Sequence, residues 1–368
     1  MINCSNLKIG GGIQVADSIC CSLSNYNTHE FFIVLPNQMQ HTKERIDNKF
    51  ANIHIYTYNI CNSFKTLLFG HDVFLDNVVH TKNIDIVLTV FGPSRWKPKC
   101  KHLCGFASAQ LVLSDSPYYG DSLPLKFRIK EYLRISILKY FYRKCGPNYY
   151  TENPYITNMV AQLFKGSNVY TVTNYYNQVF DDKSLWKNKQ LPFFDGITLL
   201  TVTAAYPHKN LKISLDIAKY IKRNYPDFNV RFVFTIDKQQ FVPIPKEYET
   251  NFLFIGKVDI TECPSLYEQA DIMFQPTLLE CFTATYPEAM KMERPIITSD
   301  LDFALGLCGE AAVYYSPLSP EDAAEKIVYV ARHKDVQEQL IEAGKKQLLK
   351  YDTYTQRTDK LIHLLETI

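Results

Sequence analysis

The stretch QPTLLECFTATYPEAM, Gln275 to Met290, decides how this chain is read. Its two carboxylates, Glu280 and Glu288, stand eight positions apart with a loop and a helix start between them. Before it, Asp271-Ile272-Met273-Phe274 has the short apolar run of a buried strand. After it, Ala289 to Met292 continues a helix that ends before Pro295. A strand, a turn and a helix N-terminus aim backbone N–H groups at an anion. Two acids beside such a site suit a ligand carrying both phosphate and hydroxyl groups.

The same alternation spreads outward from that stretch. Strands are predicted over 196–203, 230–235, 251–255, 271–274, 295–298 and 311–315, and helices over 210–223 and 264–270. Ser319-Pro320-Glu321-Asp322 begins a further helix, with a capping serine, a proline at the first position and acids in the first turn. Towards the N-terminus, strands are predicted over 1–4, 31–35, 53–56, 84–90 and 110–113, and Val15, Ile19 and Leu23 recur at helical spacing. The polar stretch 174–190 divides the two halves. Repeated βα alternation predicts mostly parallel sheets with helices on both faces, in two tandem units.

Length agrees, since 368 residues is about twice the usual single domain. The 46% hydrophobic and 21% charged fractions belong to a globular chain with a sizeable core. A net charge of +2 argues neither for nor against a nucleic-acid partner. The ten cysteines have no regular spacing and no secretory leader is recognisable, which predicts free thiols and a cytoplasmic protein. No apolar run approaches the roughly 18 to 20 residues that span a bilayer.

Several loops are candidates for chemistry. Gly10-Gly11-Gly12 opens a helix and lets backbone approach a phosphate; a plain tight turn fits the same residues. Cys100, His102 and Cys104 lack the spacing of a zinc site, and His102 reads as a loop histidine, solvated or facing a cleft. In LPLKFRIKEYLRISILKYFYRK, 123–144, seven basic residues face the single acid Glu131, interleaved with apolar ones such as Phe127, Ile129, Leu133 and Ile137. That composition suits a helix lying on an anionic membrane, and equally a domain helix with a basic solvated face. Nucleic-acid binding is disfavoured because the basic residues stay on one element. Lys209 is placed at a helix start, where a cation is unfavourable unless a phosphate is bound, and Gly256-Lys257 offers a second anion contact at another strand end.

Together, LYEQAD (266–271), the E-x7-E from Glu280 to Glu288, EAM, PIITSD (295–300), PHKN (207–210) and GGGIQVADSI (10–19) resemble the retaining glycosyltransferases of family 4, the glycosyl transferases group 1. The resemblance implies an α/β GT-B fold: two Rossmann-like domains with parallel sheets facing across a cleft. It places an acceptor-side domain at 1–180, a nucleotide-sugar domain at 181–352 and a returning C-terminal helix at 353–368. It implies sugar transfer from a UDP- or GDP-linked donor without a metal or other cofactor. Glu280 would hold donor-sugar hydroxyls and Glu288 the ribose hydroxyls. Phe282, Thr283 and Ala284 would offer backbone N–H groups, and Lys209, with His208 beside it, would neutralise the departing diphosphate. Gly11, Gly12 and Gly256 would approach the phosphates, and His102 would stand near the reacting sugar.

Three departures stand against the pattern. Ala204 occupies the place of an arginine, Cys281 follows the first Glu where glycine is usual, and the first strand is short enough to suggest a native start further upstream. Rival readings are a metal-dependent transferase using Asp300-Leu301-Asp302, a GT-B-shaped sugar-nucleotide epimerase and a non-catalytic nucleotide-sugar-binding partner. The acceptor expected is a glycan, a lipid-linked oligosaccharide of bacterial surface polysaccharide (O-antigen or capsule), handled at the inner face of the plasma membrane.

Overall fold

Short runs, most of them apolar and buried at the sheet centres, form the strands of two all-parallel sheets. A computed structural model describes residues 1–8, 10–46, 49–59, 70–120 and 125–368. The first sheet contains β1 (Ile2–Asn3), β2 (Phe31–Pro36), β3 (Ile53–Tyr58), β4 (Ile86–Thr89), β5 (Lys101–Gly105), β6 (Asn148–Thr151) and β7 (Asn168–Thr171) in the order β3-β2-β1-β4-β5-β6-β7. The second contains β8 (Ile197–Thr201), β9 (Val230–Phe234), β10 (Phe252–Phe254), β11 (Ile272–Gln275), β12 (Ile296–Ser299) and β13 (Ala312–Tyr315) in the order β10-β9-β8-β11-β12-β13. The fold is α/β, with two all-parallel sheets covered by helices.

The chain divides into two compact units: Met1–Ser114, Asp121–Asn174 and Asp352–Ile368 in one, Asp115–Gly120 and Tyr175–Tyr351 in the other. In the first, Ile2 of β1 pairs with both Ile33 and Leu88, so the shortest strand is central. Its neighbours extend the ladder, Leu88 N–H donating to the Met1 carbonyl and Cys4 N–H to that of Val34, each at 2.9 Å. The helix Gly11–Ser22 covers this strand with Val15, Ala16 and Ile19, and the helix Tyr354–Thr367 adds Leu361 and Ile362 to the same core. Burying an aliphatic side chain of that size is worth about 1.5–3 kcal/mol, so the last helix belongs to the first unit's core. Buried Arg357 fixes it further, donating to Ser18 Oγ at 2.7 Å and to Asn174 Oδ1.

In the second unit the helices Ile213–Asn224 and Pro320–Arg332 cover β8, β9 and β11 with Ile217, Ala218, Ile221, Ala323 and Ile327. Ser319 caps the second of these, accepting from Asp322 N–H at 3.1 Å, with Pro320 at its first position.

Two sequence expectations are corrected in the first unit. Residues 110–113 are not a strand; Ala109–Leu111 is a 3-10 turn whose apolar side chains are buried all the same. The strand is instead β5, which carries His102 as its second residue rather than in a loop. A charged start and a terminal glycine disguise it, yet Gly105 is there of necessity: a Cβ would lie 1.9 Å from the Val90 carbonyl oxygen.

Of 123–144, residues 123 and 124 lie outside those described, and Leu125–Cys145 is one helix. Phe141, Tyr142 and Cys145 bury its far end, where Tyr142 Oη donates to the Gly92 carbonyl at 2.7 Å. Ile129, Tyr132, Leu133, Ile137 and Tyr140, at i, i+3, i+4, i+8 and i+11, are 49–71% exposed. No helix among the described residues is long and apolar enough to cross a membrane.

Candidate active site

Sheet order in the second unit reverses at β8, which has β9 on one side and β11 on the other. Ligands of open α/β sheets gather at the carboxyl ends of the strands flanking such a switch. The two loops leaving β8 and β11 are tied together there. Thr201 Oγ1 donates to the Phe274 carbonyl at 2.6 Å, and Leu278 N–H donates to the His208 carbonyl at 2.8 Å. This pairing brings Lys209 against Glu280: Nζ donates to Oε1 in an ion pair whose side chains are each only 13% exposed.

Lys209 therefore does not sit at a helix start, and the dipole argument does not apply to it. Pro207–Lys209 is a 3-10 turn closed by Asn210 in the left-handed region (φ 50°), and the helix begins at Ile213. Asparagine tolerates that conformation better than most residues. Glu280 is likewise no open cleft acid. Removing either partner leaves a largely buried charge uncompensated, which in buried pairs costs about 3–5 kcal/mol.

Three polar residues that the sequence did not single out complete the arrangement. Thr277, fully buried, donates to the same Glu280 oxygen at 3.0 Å. Ser116 Oγ donates to the Leu278 carbonyl at 2.6 Å, bringing 115–120 onto this loop. Tyr267 Oη donates to Glu288 Oε2 at 3.0 Å. Thr277 lies three residues before Glu280, a spacing that could have drawn notice; Ser116 and Tyr267 are too remote in sequence to have done so.

Glu288 lies inside the helix Thr285–Lys291 and is 5% exposed. Burial pushes its carboxyl up to about 7, against the opposing pull of the Tyr267 hydrogen bond. Ala284 caps that helix without a side-chain bond; Thr283 Oγ1 lies 3.1 Å from Thr285 Oγ1, and the Phe282 ring meets Tyr351 edge-on. The His208 ring stacks on Tyr206 (5.5 Å between centroids, 8° between planes) and meets the edge of Tyr118. Gly256 (φ 70°) follows the edge strand β10, separated from β8 by β9.

The remaining candidates belong to the first unit. Gly10 takes the left-handed region (φ 81°) as the cap of the helix that Gly11 and Gly12 begin. Gly12 has Leu7 and Phe91 side-chain atoms 3.4 Å from where a Cβ would be, whereas Gly11 has no atom within 4 Å and no positive φ. Neither packing nor backbone geometry requires glycine at 11. His102 is buried near the amino end of β5, its Nε2 2.9 Å from Thr89 Oγ1, and burial lowers it to about 4, so it stays neutral. It stands in a strand, not in the loop where the sequence reading put it. A hollow of about 590 Å³ lined by Arg143, Tyr149, Phe164 and Lys165 lies at the amino ends of β6 and β7 and includes none of the candidate residues.

The two loops thus place a largely buried ion pair at the switch of the second sheet. Residues 182–347 match the family model described as "Glycosyl transferases group 1". A curated relative, the O-antigen chain mannosyltransferase RfbU of Salmonella typhimurium, is 26% identical over 202 residues, 54% of each chain, so the match spans about half the relative's length. Among solved structures, a glycosyltransferase of Rickettsia africae is similar at TM-score 0.69 and 14% identity, covering 99% of this chain and 97% of that one. Anabaena HepE in complex with UDP and glucose is similar at TM-score 0.68 and 12% identity, covering 100% and 99%.

Proposed function

We propose that the chain is a retaining, metal-independent glycosyltransferase. It moves a hexose from a nucleoside diphosphate sugar to a glycan acceptor, a lipid-linked oligosaccharide of a bacterial surface polysaccharide such as O-antigen. The observation that carries the reading is the Lys209–Glu280 pair on the two loops at the switch of the second sheet. The O-antigen activity of the matched relative and the UDP and glucose held by a protein of the same fold support it.

Lys209 leaves Glu280 to neutralise the charge growing on the departing diphosphate, an electrostatic contribution of the kind that is usually the largest in catalysis. Glu280 then accepts hydrogen bonds from hydroxyls of the donor sugar. The bond from the anomeric carbon to the phosphate oxygen breaks while the acceptor oxygen bonds on the same face, and the acceptor's proton passes to the departing phosphate. Backbone N–H groups of Phe282, Thr283 and Ala284 meet the sugar and pyrophosphate. Glu288, held by Tyr267, takes the ribose hydroxyls, and His208 and Gly256 line the donor loops. Gly11 and Gly12 open the first unit's helix to a phosphate.

The exposed stripe of the helix Leu125–Cys145 supports docking on an anionic membrane surface. Its five apolar residues are flanked by the exposed cations Lys126, Arg128, Lys130 and Arg134. The test of the reading is release of UDP or GDP from a panel of donor sugars, with and without a chelator. Acceptor-dependent release that survives the chelator is the expected result, and release abolished by it removes the metal-free mechanism.

A further inference from the structure

Thr277 is a buried polar residue, so its hydroxyl is what needs explaining. The side chain is fully buried, and its single O–H faces two acceptors, Glu280 Oε1 at 3.0 Å and the His208 carbonyl at 3.4 Å. The residue beside it is held on both sides: Leu278 N–H donates to His208, and the Leu278 carbonyl accepts from Ser116. Residues 277–278 thus join three segments, 115–120, 206–210 and 276–280. The base from which the Glu280 side chain extends is fixed independently of Lys209.

Both Thr277 and Lys209 donate to the same carboxylate oxygen, Oε1. That leaves Oε2 to accept from a ligand. Hydrogen bonds to a charged acceptor are about twice as strong as neutral ones, and the two donors differ in mobility. Lysine has a flexible stem that can turn to another anion, whereas a buried threonine hydroxyl cannot follow it.

We propose that Thr277 is a positioning residue, holding the Glu280 carboxylate in place when Lys209 transfers to the diphosphate. The idea rests on the transferase reading and deepens it. Without the hydroxyl, Lys209 is the one donor left on Oε1 among the described residues, and it stays paired with the carboxylate instead of meeting the leaving group. The step lost is the transfer of charge during reaction, so turnover falls while donor binding is kept.

The test compares wild type with Thr277→Val and Thr277→Ser, using whichever of GDP-mannose and UDP-glucose the wild type turns over. Thr277→Val is expected to lower kcat about tenfold or more with KM within about threefold, and Thr277→Ser to restore kcat to within about threefold. Calorimetric affinity for the intact donor sugar nucleotide stays unchanged in both. If Thr277→Val does not fold, Thr277→Ala against Thr277→Ser carries the same comparison. An unchanged kcat in the valine variant overturns the proposal while the transferase reading stands. A loss that serine does not rescue overturns it too, because it assigns the methyl group. A wild type with no turnover on any donor overturns both.

Discussion

Glu280 and Lys209 were read from the sequence as separate contacts of one ligand, and the structure shows them as contacts of each other. That changes which substitution is informative. Glu280→Ala would leave Lys209 unpaired at 13% exposure, mixing a stability loss into the activity loss, so Glu280→Gln is the cleaner variant. It should lower transfer by roughly a hundredfold or more while the fold, checked by circular dichroism, persists. Glu288 gives a pH prediction. A carboxyl whose native value is raised to about 7 holds its proton more tightly folded than unfolded. Its stabilising contribution is present at acid pH and lost as pH rises through about 7. Glu288→Gln, which keeps an oxygen for Tyr267, should therefore gain on wild type as pH rises. The gap in unfolding free energy should widen from about pH 5 to about pH 8.5, approaching on the order of 3 kcal/mol. A gap that stays constant would show that Glu288 titrates normally.

Helices and loops carry the next predictions. Gly11 lies in the first turn of a helix with open space at its Cβ, so Gly11→Ala should raise stability by about 0.4–1 kcal/mol. If the glycine serves a phosphate, the same variant loses donor turnover; a gain in both would make it an ordinary turn residue. The outward stripe of Leu125–Cys145 is tested by Leu133→Glu with Ile137→Glu, which should abolish retention by anionic liposomes at low salt without lowering the melting temperature. At this scale the sequence was informative wherever periodicity was strong. The strands β2, β8, β9 and β11 and the helix capped by Ser319 fall close to where apolar alternation and capping residues put them. It misled at β5, where Lys101, His102 and Gly105 look like loop, and at 110–113, where an apolar run is buried as a turn. Burial pressure is common to both conformations, so hydrophobicity alone could not separate them.

Across the whole molecule, two all-parallel sheets followed from βα alternation and length, because few topologies satisfy that alternation. The side-chain site was legible only in part. Glu280, Glu288 and Lys209 were visible as charged residues at strand ends. Their pairing was not, since it depends on how the loops after β8 and β11 meet across 71 residues of sequence. Ser116, 162 residues before Leu278, left no local trace at all. Ala204, where the resembled pattern has arginine, leaves Lys209 as the lysine this loop presents. The most direct measurement is therefore donor turnover by Lys209→Gln, which keeps an N–H for Glu280, beside wild type, read as nucleoside diphosphate released with acceptor and chelator present. The account predicts sustained release by the wild type and a loss of roughly a hundredfold or more in the variant, with its fold retained. Release by Lys209→Gln at the wild-type rate would contradict it.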